Sequence, residues 1–357
     1  MIVPAYESAH STALCQPSLA QAVHAIREGR LVGLPTETVY GLAADADQTA
    51  AVARIFAAKG RPASHPLIVH VSAQDGGMAG VAHYAASIPA FAQQLMSAFW
   101  PGPLTLILPR REGVANAAAA GQDSIALRCP AHPVAQAVLA ALRHNGTSEP
   151  VWGLAAPSAN RFGRVSPTLA AHVQSEFGQT LAEGLLILDG GPCTVGIEST
   201  IVDCTRGAPV VLRPGSIGRA ELEAACGQVV RAAAPAASVD AAQPPAPRAP
   251  GTLASHYAPR ARVQLMDAAN LQAALDGLAA LTSAQPVLAV YARSTLRCAA
   301  PQVLLRRMPS DAAAAAHALF AVLRALDDLG VEQIWVEAPP NEALWDGVRD
   351  RLQRASA

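Results

Sequence analysis

Short apolar runs rich in Val, Ile and Leu recur along most of the chain, separated by stretches of helical periodicity and by Gly and Pro turns. Runs of this length are typical of buried strands, and the amphipathic stretches between them predict helices that cover a sheet. The alternation of the two predicts an α/β fold. Strands are predicted at residues 31–34, 66–71, 104–108, 124–127, 151–155, 185–188, 200–202 and 210–212.

Two helices near the start have recognisable ends. The first is predicted over residues 18–29, with Ser18 as the N-cap and Gly29 just past the last turn. Asp47 is the predicted N-cap of the second, which ends at Lys59 and Gly60. Lys59 therefore occupies the last position of a stripe that faces the core, formed by Val52, Ile55 and Phe56.

An Ala/Pro-rich stretch without periodicity lies at residues 231–250, and it is the best candidate for a linker. Beyond it, strands predicted at 263–266, 287–291, 303–305 and 334–337 alternate with helices at 271–281, 311–329 and 342–354. This order predicts a small parallel α/β domain. The expected division is a first domain at 1–230, a linker and possible lid at 231–260, and a second domain at 261–357.

The composition excludes several classes of protein. No apolar run approaches the roughly 20 residues needed to cross a bilayer, and the first ten residues lack the pattern of a secretory signal, so the cytoplasm is the expected location. A net charge of -1 provides no broad attraction to nucleic acid. The six cysteines form no C-x-x-C pair, which argues against a structural zinc site and favours free thiols.

The common nucleotide-binding and zinc-protease motifs are absent: the sequence contains no G-x-x-x-x-G-K-[ST], no G-x-G-x-x-G and no H-E-x-x-H. Instead, polar and basic residues stand within otherwise apolar or Pro/Gly-rich strings. These strings are PTETVYGL at 35–42, KGRP at 59–62, PLIVH at 66–70, FWPGPLT at 99–105, ALR at 126–128, APSAN at 156–160, GIEST at 196–200 and LRPG at 212–215.

In this order the strings resemble the YrdC-like family of threonylcarbamoyl-AMP synthases, whose hallmark is K-x-R followed far downstream by S-x-N. The resemblance runs from about residue 31 to 218, and HYAP at 256–259 followed by an α/β domain resembles the two-domain members. It implies a YrdC-like twisted mixed sheet with flanking helices and a concave pocket, plus a smaller Rossmann-like parallel α/β domain.

The resemblance also implies a reaction. Family members join L-threonine, bicarbonate and ATP into threonylcarbamoyl-AMP and pyrophosphate, as nucleotidyltransferases that serve the modification of tRNA adenosine next to the anticodon. Mg²⁺ is expected with ATP, held by phosphate oxygens and without dedicated protein ligands. The product would pass to a tRNA threonylcarbamoyl-transferase complex, while direct binding of tRNA has weak support.

Roles carried over by the resemblance divide the pocket into two sides. The catalytic residues are expected to be Lys59, Arg61, Ser158 and Asn160. The ATP side comprises Lys59, Arg61, His65, Ser124, Ser158, Asn160, Ser166, Arg213 and Tyr257, where His65 replaces the asparagine of many relatives. The threonine side comprises Thr38, His70, Arg128, Ala156 through its backbone, and Ser199.

Structural interpretations remain open for several of these residues. Lys59 at a helix end could simply complement the helix dipole, and His70 in an apolar strand could be a core histidine. Ser158 and Asn160 could form a turn and a helix cap. The charged residues near the C-terminus are interpreted as solvated surface: Asp327, Asp328, Asp346, Arg349, Asp350 and Arg351.

Two other functions compete with the synthase. The first is an RNA-binding module without catalysis, which the neutral charge disfavours because phosphate contacts normally dominate RNA affinity. The second is a related carbamoyl-adenylate-forming enzyme, whose additional zinc-finger-like and acyl-phosphatase-like segments have no counterpart in this sequence.

Overall fold

A computed structural model of the chain describes residues 2–4, 16–144, 149–182, 185–233, 246–253, 255–278, 288–298, 300 and 302–357. It contains an eleven-stranded mixed sheet and a four-stranded sheet whose strand pairs are all parallel. The predicted mixed sheet, and the smaller parallel domain that follows it, are therefore confirmed. We call the parts built on these two sheets the N-terminal and the C-terminal domain.

The large sheet combines parallel and antiparallel pairs in the order β1-β8-β2-β3-β7-β4-β6-β5-β9-β10-β11. Its strands are β1 (Ile2–Pro4), β2 (Val32–Leu34), β3 (Gly41–Asp45), β4 (Ile68–Val71), β5 (Leu104–Pro109), β6 (Ser124–Arg128), β7 (Gly153–Ala155), β8 (Leu186–Asp189), β9 (Thr200–Asp203), β10 (Val210–Arg213) and β11 (Arg231–Ala232). The apolar runs located all of these strands except β1, β3 and β11.

Helices cover both faces of this sheet. The seven that belong to the N-terminal domain are α1 (Gln16–Arg27), α2 (Thr49–Lys59), α3 (Met78–Tyr84), α4 (Ala90–Phe99), α5 (Pro133–His144), α6 (Ala170–Ala182) and α7 (Arg219–Cys226). Apolar side chains of α1 and α5 share one core with β2, β3 and β7. Those of α2, α3, α4, α6 and α7 contribute to a larger second core.

The predicted ends of the first two helices are partly wrong. Helix α1 begins at Gln16, before Ser18, and Asp47 does not cap α2 because its carboxylate accepts hydrogen bonds from the Ala115 amide and the Tyr84 hydroxyl. The other end of α2 is confirmed. Gly60 closes it with φ +62°, a left-handed conformation that glycine adopts without strain.

The C-terminal domain orders its strands as β12 (Arg262–Met266), β15 (Gln333–Glu337), β13 (Leu288–Ala292) and β14 (Val303–Arg307). Its helices are α8 (Ala268–Asp276), α9 (Ala312–Asp328) and α10 (Asp346–Ala355). Residues 234–245 of the predicted linker, and residues 279–281 of the predicted helix 271–281, lie outside the described residues. The helix predicted at 342–354 is instead a 3-10 turn, Ala343–Trp345, followed by α10.

The two domains meet along a shared apolar core. Val39 and Ile197 of the N-terminal domain belong to the same buried cluster as Phe320 of α9. Two glycines allow the backbones to approach: a Cβ on Gly196 would lie 2.4 Å from the His317 carbonyl oxygen, and one on Gly347 would lie 2.7 Å from the Gly215 carbonyl oxygen. Because neither position has room for a side chain, the docking surface includes main chain from both domains.

Candidate active site

A concave cavity, partly open to solvent, lies where described linker residues meet the strand ends of the large sheet. Its walls combine apolar surface with a few polar groups, as small-molecule sites commonly do. Nine of the predicted site residues line it: Thr38, Arg61, His70, Arg128, Ala156, Ser158, Ser199, Arg213 and Tyr257. Their roles remain predictions, but the fold brings them together from eight separate strings.

Arg128 anchors one end of the cavity. The register of neighbouring strands places Arg128 of β6 beside His70 of β4. The buried Arg128 guanidinium donates to the Thr38 hydroxyl over 2.8 Å and to a Glu37 carboxylate oxygen over 2.6 Å. The Ala131 amide donates to the other carboxylate oxygen of Glu37. This ion pair neutralises Arg128 and orients Thr38, so the end of the cavity is polar without excess charge.

His70 presents a neutral ring to this end. Burial, and then the nearby Arg128 cation, lower its pKa to about 3. Its buried Nδ1 atom has no hydrogen-bond partner within the described structure. A buried polar atom without a partner carries a desolvation cost, which a bound ligand would remove.

Arg213 occupies the opposite side, at the end of β10. Its guanidinium donates to the Ser199 carbonyl oxygen over 2.9 Å and to the Pro250 carbonyl oxygen over 3.1 Å. The Ser199 hydroxyl in turn pairs with Thr105 over 2.7 Å. Arg213 therefore connects the GIEST string to the described part of the linker at one wall of the cavity.

The two hallmark strings contact each other through the main chain. The Lys59 Nζ atom donates to the Ser158 carbonyl oxygen over 2.6 Å and to that of Asn160 over 2.5 Å, and the Lys59 side chain is buried behind the wall. Asn160 is also buried, and its amide donates to the carbonyl oxygens of Arg161 and Arg164. Contacts of Lys59 and Asn160 with phosphates therefore stay predictions, while their part in shaping the wall is observed.

Two cationic side chains, Arg61 and Arg213, line one side of the cavity. Among the described residues, no carboxylate lies within ion-pair distance of Lys59, Arg61 or Arg213. Burial lowers the pKa of Arg61 to about 10, and burial followed by the Arg61 charge holds the pKa of Lys59 well below its ordinary value. Buried cations without carboxylate partners indicate a site for an anionic ligand.

Besides Lys59 and Asn160, three further predicted ATP contacts lie outside the lining residues. His65 packs edge to face on Phe162, with ring centroids 5.6 Å apart. Ser124 begins β6 and pairs with Pro109. Ser166 is fully buried and donates to a Glu198 carboxylate oxygen over 2.5 Å. None of the three reaches the cavity in this conformation, so their contacts with ATP also remain predictions.

Sequence reasoning missed three charged residues of the site. Glu37, between Thr36 and Thr38, and Glu198, between Ile197 and Ser199, stand inside quoted strings, but no local signal set them apart. The third, Arg351, was interpreted as solvated surface, and that was wrong: its side chain is fully buried against Glu198. Asp327 was also wrongly placed in solvent, since it is buried and accepts from the Ala261 amide.

One compositional signal singles out Lys59. It is the only lysine among 357 residues, beside 25 arginines in a Lys plus Arg total of 26. An ammonium group is a compact donor, whereas a guanidinium is a wide planar fork. A single Nζ atom bonds both carbonyl oxygens, at 2.6 Å and 2.5 Å, and this position between them suits the compact donor, which accounts for a lysine here in a chain that otherwise uses arginine.

The stability of the fold should depend on pH through His70 and His256. Burial lowers both pKa values to about 3, whereas the unfolded chain titrates near 6.5. Below about pH 6.5 the unfolded state therefore binds more protons, and the free energy of unfolding falls by up to about 1.4 kcal/mol per pH unit for each histidine. Denaturant unfolding between about pH 7 and pH 5 measures this slope.

The substitution His70→Asn is expected to reduce that slope. His24→Asn, on an exposed face of α1, is the matched control and is expected to leave it unchanged. An identical slope for wild type and His70→Asn would contradict the assignment of a neutral, buried His70.

Within the described part of the chain, no helix is long and apolar enough to cross a membrane. No group of three or more His, Cys, Asp or Glu side chains there could hold a metal ion.

The fold and the site together define a two-domain α/β protein with an arginine-lined cavity beside the domain junction. A family model described as "Telomere recombination" matches residues 24–215, and one described as "Threonylcarbamoyl-AMP synthase, C-terminal domain" matches residues 217–357. The chain belongs to the threonylcarbamoyl-AMP synthase family.

Individual relatives cover most of the chain. It is similar to threonylcarbamoyl-AMP synthases of Pyrococcus abyssi (37% identity, 93% of this chain, 92% of that protein) and Schizosaccharomyces pombe (36%, 91% and 85%). A Bacillus subtilis synthase is 44% identical over 60% of this chain and 58% of that protein. The crystal structure of Pyrococcus abyssi Sua5 complexed with L-threonine superimposes with a TM-score of 0.82 and 33% identity, covering 100% of this chain and 97% of that chain.

Proposed function

We propose that this chain is a nucleotidyltransferase that makes L-threonylcarbamoyl-AMP from L-threonine, bicarbonate and ATP, with release of pyrophosphate. The observation that carries the proposal is the uneven charge of one cavity. Arg61 and Arg213 line its cationic side, whereas Arg128 at the other end is neutralised by Glu37. A triphosphate fits the first environment, and a small zwitterionic amino acid fits the second.

Each end can hold its substrate by ordinary polar contacts. Thr38, His70 and Ser199 offer hydroxyl and imidazole groups to threonine, while Arg128 keeps the Thr38 hydroxyl in place. Arg61 and Arg213 offer guanidinium groups to the phosphates. Buried atoms without a partner among the described residues occur on both sides: the Nδ1 atoms of His70 and His256, the Nε atom of Arg61 and the hydroxyl of Tyr257.

The chemistry requires positioning more than a covalent nucleophile. The threonine amine combines with bicarbonate to give the N-carboxylate and water. A carboxylate oxygen then attacks the α-phosphorus, and the bond to the β-phosphate oxygen breaks to release pyrophosphate. Bringing two anions together is costly, so fixed cations around the phosphates lower the barrier by offsetting charge as pyrophosphate leaves.

Magnesium would arrive with ATP. Glu198 is the one carboxylate among the described residues that line the cavity, and both of its oxygens already accept hydrogen bonds, from Ser166 and Arg351. The walls therefore suit an ion held by phosphate oxygens and water, the usual arrangement for Mg²⁺ with nucleotides. When bound, the ion would add positive charge at the phosphates.

The product is a reactive mixed anhydride, and it would be consumed by a transferase that modifies tRNA adenosine next to the anticodon. We place the enzyme in the cytoplasm, where tRNA and ATP are available. The alternative, an RNA-binding module without catalysis, has less support, because a concave cavity suits a small molecule and the net charge is -1.

A pyrophosphate-release assay tests the proposal. Purified protein with ATP, bicarbonate and L-threonine is expected to release pyrophosphate, and omission of either threonine or bicarbonate should abolish the signal. Release that continues without threonine would indicate a different acceptor. RNA binding without any pyrophosphate release would favour the alternative.

A further inference from the structure

Glu198, the carboxylate in the cavity wall, forms an ion pair with a residue of the C-terminal domain. The Glu198 Oε1 atom accepts from the Ser166 hydroxyl over 2.5 Å, and Oε2 accepts from the Arg351 Nε atom over 2.9 Å. Arg351 lies on α10 and is fully buried. A residue 153 positions away in the sequence thus completes the hydrogen bonding of Glu198.

Arg351 also holds the main chain on both sides of the cavity wall. Its guanidinium donates to the Glu198 carbonyl oxygen over 3.1 Å and to the Pro214 carbonyl oxygen over 2.6 Å, directly beside Arg213. It lies over the Tyr257 ring, 5.4 Å from the ring centroid. One side chain of the C-terminal domain therefore touches the GIEST string, the LRPG string and the described linker.

The charge of Glu198 makes this contact relevant to nucleotide binding. Burial raises the pKa of a carboxyl group, but Arg351 and then Arg213 outweigh that effect and hold the Glu198 pKa below its ordinary value. Glu198 is therefore ionised and neutralised while α10 is docked. Without Arg351, a buried negative charge would face the space where a triphosphate has to bind.

We propose that Arg351 is a positioning residue for the nucleotide: it neutralises Glu198 and fixes the backbone beside Arg213, so that the docked C-terminal domain completes the ATP side of the cavity. This inference rests on the proposed function, in which ATP occupies that side. The C-terminal domain would then have an electrostatic role in the site.

The test measures binding of Mg·ATP by titration calorimetry, without threonine or bicarbonate, so that no turnover occurs. Arg351→Met is expected to weaken binding by at least about tenfold, because it leaves the Glu198 charge unpaired. Arg351→Lys keeps the charge and is expected to stay within about threefold of wild type. Arg349→Met is the control on the same helix, because Arg349 pairs with Asp346 inside its own domain.

A double variant separates the electrostatic role from a structural one. Adding Glu198→Gln to Arg351→Met removes the unpaired charge, and Mg·ATP binding is expected to recover to within about threefold of wild type. If Arg351 merely supported the fold, the second substitution would not restore binding. Thermal unfolding of each variant shows which samples are folded. If Arg351→Met does not fold, the Mg·ATP affinity of Arg351→Lys is still compared with that of wild type.

A pH series provides a second readout. Glu198 is paired with Arg351 and accepts a hydrogen bond from Ser166. The other titratable and charged groups around this pair are Lys59, Arg213, His256, Tyr257 and Asp350. With a pKa of about 3, His256 stays neutral throughout the range from about pH 6 to pH 8. The loss of Mg·ATP affinity in Arg351→Met should become smaller toward pH 6, because Glu198 takes up a proton. The protonation of ATP itself affects Arg349→Met equally, so comparison with that control removes its contribution.

Equal loss of binding in Arg351→Met and Arg351→Lys, no rescue by Glu198→Gln, or a defect independent of pH would each overturn the inference. The proposed function has a separate readout in the same preparations. Wild type that binds Mg·ATP but releases no threonine-dependent pyrophosphate would refute the synthase while leaving the role of Arg351 in nucleotide binding standing.

Discussion

Replacing Arg61 by methionine is expected to lower kcat/KM for ATP by about 100-fold or more, because a fixed cation at the phosphates is removed. The Arg61 side chain lines the cavity, and one of its nitrogens, Nε, has no partner within the described structure. Its one described hydrogen bond to protein is to the Pro66 carbonyl oxygen, over 2.9 Å. Steady-state pyrophosphate release at varied ATP measures the effect.

The same substitution should change stability little, by within about 1 kcal/mol. Losing one hydrogen bond is offset by removing a buried cation that has no carboxylate partner. Arg54→Met is the matched control on α2, where the guanidinium donates to the Gly29 carbonyl oxygen far from the cavity lining. A large drop in the unfolding midpoint of Arg61→Met with unaltered kinetics would show that Arg61 is structural.

Lys59→Met is expected to abolish measurable turnover and also to destabilise the fold, by about 2 kcal/mol or more. The amine bonds two buried carbonyl oxygens, and methionine leaves both without a donor. If the Lys59 amine met only the phosphates of ATP, the role that the resemblance implies, its loss would leave the thermal melt nearly unchanged. The structure revises that expectation, since the same amine joins α2 to the S-x-N string.

Lys59→Arg is the informative companion, because it retains the charge. The guanidinium cannot occupy the narrow gap between the Ser158 and Asn160 carbonyl oxygens, so we expect activity to fall by at least about tenfold. Denaturant unfolding and pyrophosphate release are measured on both variants. Wild-type stability and activity in Lys59→Arg would show that neither the gap nor the ammonium geometry matters.

Much of the fold was predictable because it depends on local patterns. Apolar runs located most strands of the large sheet and all four of the small one. The end of α2 at Lys59 and Gly60 was predicted from an apolar stripe along the helix that is followed by a glycine. The edge strands β1 and β11 have three and two residues, too short for a periodicity to show. Asp47 failed as a cap because a tertiary partner, the Ala115 amide, competed for its carboxylate.

The sequence strings that contribute residues to the site were predictable, but the contacts between those residues were not. Thr38, Arg128 and Arg213 line the cavity as the resemblance implied, whereas His65, Ser124 and Ser166 do not. Glu198 received no role, because nothing local distinguishes a carboxylate that faces a cavity from one that faces water. Its hydrogen bonds to Ser166 and Arg351 exist only after distant segments have packed together.

The sequence alone determined the α/β class, the order of the strings and the presence of a single lysine at the end of α2. These depend on periodicity and residue type, which are properties of neighbouring residues. Tertiary structure alone decided that Lys59 bonds main chain and that Arg351, on an apparently amphipathic helix, is buried beside the site. A charged helix face has the same sequence pattern whether it contacts water or a buried partner such as Glu198. Only the docking of the two domains decides which of the two it contacts.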